Sequence, residues 1–231
     1  MNYETTVYKE ENNIAYIIID MPPANKMIPE FLKEIVSVIE DNALKTTMSG
    51  IIITGNGRHF SSGADVKKLM QLVKETTQDS PDEEYVPEWY MRVKNAFDSL
   101  YKLRIPVVAA INGLCIGSGF ELALHSHLLI AEANSRVGLP ETSFGLLPGI
   151  DGTIRSLEKI GYKKAFSNIV RAELLSAEDA LACNLVDIIV PKKESVQFAQ
   201  EIIHFIAEKD CEYKSNKAVE EMRNYIKTRK E

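Results

Sequence analysis

Two glutamates, Glu121 and Glu141, each stand just past a turn. One follows Gly117-Ser118-Gly119, the other follows Leu139-Pro140. Upstream, Phe60-Ser61-Ser62-Gly63-Ala64-Asp65 closes the apolar run Ile51-Ile52-Ile53-Thr54. Glycine lets a backbone approach a ligand closely, and a helix start carries unpaired N–H groups. The Ala64 N–H lies where a strand gives way to a helix, and the loop Gly113–Gly119 opens a second helix after strand Val107–Ile111. Donors from two such loops can converge on one oxygen as an oxyanion hole, where loss of one donor typically costs about 3 to 4 kcal/mol in the barrier. Helix dipoles would add to this. Two carboxylates beside such a hole point to acid–base chemistry on a carbonyl compound.

Plainer readings exist for each part. The glycines could serve tight turns alone, and a first-turn glutamate could simply complement its helix dipole. Against the second reading, Glu121 is followed by Leu122-Ala123-Leu124, so its helix reads as buried. A buried carboxylate needs a partner or a raised pKa. Asp151, in Gly149-Ile150-Asp151-Gly152, reads as a cap for the helix from Thr153 or as a third acid near the pocket. His125 and His127 are two residues apart, on different helix faces, which suits packing or surface roles better than a metal pair. Gly117-Ser118-Gly119 lacks the third glycine of a dinucleotide loop, since Leu122 stands there. Ile116 occupies the first glycine position of a nucleophile elbow. Arg58, Lys67 and Lys68 flank the first loop and could meet phosphates or merely face solvent.

The elements that must position these residues alternate. Val7 to Asp20 reads as a hairpin around Glu10-Glu11-Asn12-Asn13, with Ile14–Ile19 as its buried strand. Pro29 opens a helix with an apolar stripe at Phe31, Leu32, Ile35, Val38 and Ile39. Ile51–Thr54 is a buried strand, and a helix from about Asp65 carries Val66, Leu69, Met70 and Val73. Thr76–Tyr85 is polar and acidic, a candidate mobile segment. Trp89–Leu103 is helical, Val107–Ile111 a strand, about Gly119 to His127 a helix, and Leu128–Ala131 a strand. Ser176-Ala177-Glu178-Asp179 reads as a helix N-cap, Val186–Val190 as a last strand, and two amphipathic helices finish the chain. The sum is an α/β domain with a helical tail.

Composition narrows the function. With 231 residues there is ample material for a core, and a net charge of −6 gives no basic footprint for nucleic acid. The N-terminus lacks the basic and apolar regions of a signal peptide, and the apolar stretch Ile105–Ile116 is too short to span a membrane. Cys115, Cys183 and Cys211 are widely spaced, which fits a reducing compartment and shows no metal-ligand spacing. A cytoplasmic location is the expectation.

Phe60–Asp65, Asn112–Leu122 and Leu139–Gly152, flanked by Asn25-Lys26-Met27 and Ser176–Pro191, resemble the signature blocks of the crotonase (enoyl-CoA hydratase/isomerase) superfamily, in order and with family-like spacing. The resemblance implies a crotonase-like ββα-spiral core over residues 1–195, a shortened C-terminal helical trimerisation region over 196–231, and a trimer or dimer of trimers. By position it makes Ala64 and Ser118 the two oxyanion donors. Glu121 and Glu141 become the acid–base pair, with Glu121 activating water and Glu141 exchanging a proton with the α-carbon. Asn25, Lys26, Ser62, Ala64, Asp65 and Gly117 would line the coenzyme A site. The thioester of coenzyme A, or of a carrier protein, would be the substrate, with no separate cofactor and no metal. Hydratases of the family keep both glutamates, whereas many isomerases keep only the second. Ser118 and Asp151 depart from the family's usual small residues. Isomerisation, decarboxylation or dehydration is the alternative chemistry, and a non-catalytic acyl-CoA binder is a third reading.

Overall fold

In the computed structural model, which describes residues 3–77 and 87–208, Asn12 and Asn13 both adopt positive φ (52° and 62°). Two such residues make the turn whose twist matches a hairpin. They join β1 (Thr6–Glu11) to β2 (Ile14–Ile19) with Glu11 facing Ile14. Glu10 and Glu11, expected in the turn, therefore extend β1.

Helix α1 (Pro29–Asp41) starts at its proline and buries Phe31, Leu32, Ile35, Val36, Val38 and Ile39. Then follow β3 (Ile51–Gly55), α2 (Val66–Thr77), α3 (Glu88–Tyr101) and β4 (Val107–Ile111). Beyond them come β5 (Leu114–Ile116), α4 (Ser118–Leu124), β6 (Leu128–Glu132), β7 (Arg136–Gly138), α5 (Gly152–Ile160) and α6 (Tyr162–Val170). The described chain closes with β8 (Leu175–Ser176), α7 (Ala177–Ala182), β9 (Ile188–Val190) and α8 (Ser195–Glu208). Short 3₁₀ turns occupy Ala43–Lys45 and Glu141–Phe144. The polar stretch expected to be mobile lies, beyond the end of α2, outside the described residues, as does the second of the two expected C-terminal helices. No helix among the described residues is long and apolar enough to cross a membrane.

The main sheet runs β1-β2-β3-β4-β6-β9, parallel except for the β1–β2 pair. Strands β3, β4 and β6 are buried at every position because both faces are covered. Ile51, Ile53, Val107, Ala109 and Leu129 join the core under α1 and α3. Their neighbours Ile52, Val108, Ala110 and Ile130 meet Ala199, Ile202, Ile203 and Ile206 of α8 on the other face. A small second sheet, β5-β7-β8, has strands of only two or three residues. Such lengths carry little periodic signal, and this sheet was not foreseen. Ser176 caps α7 as expected, its Oγ accepting the Asp179 N–H at 3.1 Å. β9 is shorter than expected because Val186 N–H bonds back to Ala180 O, while the Asp187 carboxylate takes the Leu129 N–H and pairs with Lys159.

Candidate active site

The loop after β3 and the loop that contains β5 are bonded along their length. Ser61 N–H donates to Leu114 O at 2.9 Å, and Ile116 N–H returns a bond to Ser61 O at 3.1 Å. A bridge to Met27 uses the two groups flanking Ala64: Met27 N–H to Gly63 O, and Asp65 N–H to Met27 O. The N–H of Ala64 itself therefore points away from that bridge and makes no hydrogen bond among the described residues. Ser118 is the first residue of α4, where no carbonyl one turn back can accept its N–H. Gly117 enters that helix with φ 55° and ψ −135°, a conformation essentially reserved for glycine. A Cβ there would meet Glu141 Oε1 at 3.1 Å and Gly63 Cα at 3.7 Å. Both donor loops and Glu141 thus meet at one point.

Glu121 lies one turn into α4, 2% exposed. Its Oε1 accepts the N–H groups of Ile150 (2.6 Å) and Gly152 (3.0 Å), so the turn before α5 cradles the carboxylate. Burial, then the charge of Glu141, push its pKa up to about 8 against the pull of those two N–H groups. Burial also raises Glu141, whose Oε2 is enclosed without a hydrogen-bond partner among the described residues. The charge of Glu141 raises Glu121, so the two carboxyls are coupled, and Glu121 keeps its proton over the neutral range.

The other expected site residues divide between rim and foundation. Asn25 is fully buried at φ 49°. Its Nδ2 donates to Asn56 O and His59 O, and its Oδ1 accepts Met21 N–H, so the side chain staples the loops together. Ser62 N–H donates to Ala24 O. Asp65 Oδ1 takes the Lys68 N–H at the start of α2, and its Oδ2 lies 3.3 Å from exposed Lys26 Nζ; the Lys68 N–H is the larger cause of a lowered pKa. Lys26 and the rim lysines Lys67 and Lys68 face solvent.

Asp151 occupies the N-cap position of α5 but makes no capping bond; it pairs with Lys94 Nζ at 2.9 Å. His125 is buried, with Nδ1 bonded to Glu121 O and its ring edge-on to Phe97. His127 bridges Val107 N–H and Tyr101 O, so neither histidine points toward a shared metal. Tyr90, which the sequence did not single out, donates its hydroxyl to Gly149 O beside Glu121. A cavity of about 620 Å³ lies elsewhere, around Arg58, His59, Asn112, Asn134 and Lys192. Neither Glu121 nor Glu141 lines it.

The sequence model of the enoyl-CoA hydratase/isomerase family matches residues 9–230. The chain belongs to the enoyl-CoA hydratase/isomerase family. It is 34% identical over 175 residues to a probable enoyl-CoA hydratase of Bacillus subtilis, covering 76% of this chain and 65% of that protein. Over 205 residues it is 29% identical to the glyoxysomal fatty acid beta-oxidation multifunctional protein MFP-a of Brassica napus, covering 89% of this chain and 27% of that protein. The chain thus spans less than two thirds of these relatives' length. Among solved structures, the enoyl-CoA hydratase of Bacillus anthracis superposes with a TM-score of 0.75 at 28% identity, over 88% of this chain and 77% of that one. The crotonase fold expected from the sequence is the fold observed. Within this enoyl-CoA hydratase/isomerase family member, the two donor loops and both glutamates meet in one site.

Proposed function

We propose that this protein is a lyase that adds water to, or removes it from, a 2-enoyl thioester. The observation that carries this reading is the buried, proton-retaining Glu121 carboxyl and the half-buried Glu141 carboxyl with its raised pKa, beside two loops with unengaged N–H groups. The thioester carbonyl oxygen takes the N–H groups of Ala64 and Ser118, which hold the charge that develops as an enolate forms. Glu141 adjoins these donors and so faces the α-carbon, the atom bonded to the carbonyl carbon. Glu121 stands about one helical turn from Ser118 on α4 and is assigned to the water that attacks the β-carbon. Hydration needs one carboxylate to take a proton from water and one carboxylic acid to protonate the α-carbon. With the proton resting on Glu121, the pair is set for water removal, Glu141 taking the α-proton and Glu121 protonating the departing hydroxyl; hydration is the reverse and starts with the proton on Glu141.

The acyl group arrives on coenzyme A or a carrier protein, with Lys26, Ser62, Asp65 and the backbone of Gly117 at the rim and Asn25 bracing it from below. The catalytic unit is a homotrimer or dimer of trimers, supported by the exposed stripe Tyr162, Phe166 and Val170 along α6. A reducing, cytoplasmic setting agrees with the free thiols of Cys115 and Cys183. Mass spectrometry with crotonyl-CoA in H₂O and D₂O tests the reading. Gain of one water with deuterium at the α-carbon is expected. Deuterium exchange without water gain would replace hydration by isomerisation or a related enolate reaction, and inertness toward every enoyl thioester would overturn the proposal.

A further inference from the structure

The turn that holds Glu121 is itself held from α3. Ile150 and Gly152 can aim both N–H groups at one oxygen because Asp151 between them is left-handed, at φ 58° and ψ 14°. Such a reversal makes an anion-binding nest of successive N–H groups. A side chain in that conformation is strained, aspartate less than most. Gly152 must lack a side chain, since a Cβ would lie 2.8 Å from Glu121 Oε1. Two residues one turn apart on α3 grip this nest from outside. Tyr90 donates its hydroxyl to Gly149 O, and Lys94 Nζ pairs with Asp151 Oδ1 at 2.9 Å, the Asp151 side chain being 15% exposed.

We propose that Lys94 is a positioning residue for Glu121: its ion pair with Asp151, aided by Tyr90, pins the nest that holds the Glu121 carboxylate and offsets the Asp151 charge beside it. The inference rests on the proposed role of Glu121 in the chemistry. The groups that act on the Glu121 carboxyl are Tyr90 from α3, Asp151 from the start of α5 and Glu141 from the turn after β7; Lys94 pairs with Asp151, and His125 bonds the Glu121 backbone carbonyl. Asp98 and Arg155 act on His125 behind it. Of these, Asp151 is an acid whose charge works against ionisation of Glu121, and Lys94 is the cation bonded to it.

The test is the ¹³C carboxyl titration of Glu121, assigned by loss of its signal in Glu121→Gln and run in a Glu141→Gln background so that the pair does not titrate together. Lys94→Met leaves Asp151 uncompensated and is expected to raise the Glu121 midpoint by on the order of one pH unit. Asp151→Asn keeps the left-handed preference, removes the charge and is expected to lower the midpoint. Lys94→Arg keeps the charge and is expected to leave it in place, so general damage to the fold is told apart from loss of the cation. With Glu141 intact, the limb of the kcat/KM profile on crotonyl-CoA should move in the same senses. Midpoints that stay put in both charge-removing variants, or shift the same way in both, overturn the proposal. Opposite shifts in a protein that turns over no enoyl thioester would sustain it and instead remove the hydratase reading.

Discussion

Glu121 and Glu141 differ in what holds them, and that difference yields two measurable outcomes. Glu141 sits at the donor loops with one oxygen unpartnered among the described residues. Glu141→Gln keeps its shape and removes the exchangeable proton, so turnover of crotonyl-CoA should fall by about 10²- to 10⁴-fold with the unfolding midpoint little changed. Undiminished hydration by that variant would exclude Glu141 from the chemistry. Glu121 is raised to about 8 in the folded protein, above the ordinary carboxyl value of 4.5 that it regains on unfolding. Its neutral form is the one the fold favours. The associated stability is full at pH below 4.5 and is lost as pH climbs through 8. Glu121→Gln should therefore lose less stability than the wild type between pH 5 and pH 8, as read by denaturant titration at each pH. Parallel losses in the two proteins would show that burial does not perturb Glu121.

At the scale of elements, the site depends on loops fastened far from where they were read. The strands and helices that feed it were legible because their signals are local. Ile51–Thr54 and Val107–Ile111 are short apolar runs, Pro29 sits where a helix begins, and Ser176 makes its cap. Asn25 was legible only as part of a recognised block. Its staple role comes from three bonds to backbone groups of Met21, Asn56 and His59, and the latter two lie in another loop. Asn25→Ala leaves buried polar groups unpaired, each worth about 1 to 3 kcal/mol, so a loss of roughly 2 to 4 kcal/mol is expected by urea unfolding. Wild-type stability in that variant would mean the loops hold without the staple. Asp151 shows the same limit: it was read as a cap or as a third acid. The structure gives it the cap position without the capping bond, because its side chain turns to Lys94 on a helix that no local pattern connects to it.

Among the described residues, α6 carries an apolar stripe that the fold around it leaves uncovered. Tyr162, Phe166 and Val170 are spaced by four along α6, and all three are more than half exposed. Tyr162 and Phe166 stack on each other, with ring centroids 5.6 Å apart, and expose their faces together. A helix normally turns such a stripe inward, and an exposed one marks a contact surface. Multi-angle light scattering should find the wild type as a trimer or a multiple of it, and Phe166→Glu should shift mass toward the monomer. An unchanged assembly in that variant would move the interface elsewhere.

From sequence alone came the alternation of strands and helices, the two donor loops and the pair of glutamates, because propensity, caps and short apolar runs act over a few residues. Only the tertiary structure decided how strongly Glu121 keeps its proton, which turn cradles it and which helix grips that turn. Those properties arise from burial and from bonds between segments distant in the chain, and no local pattern encodes them.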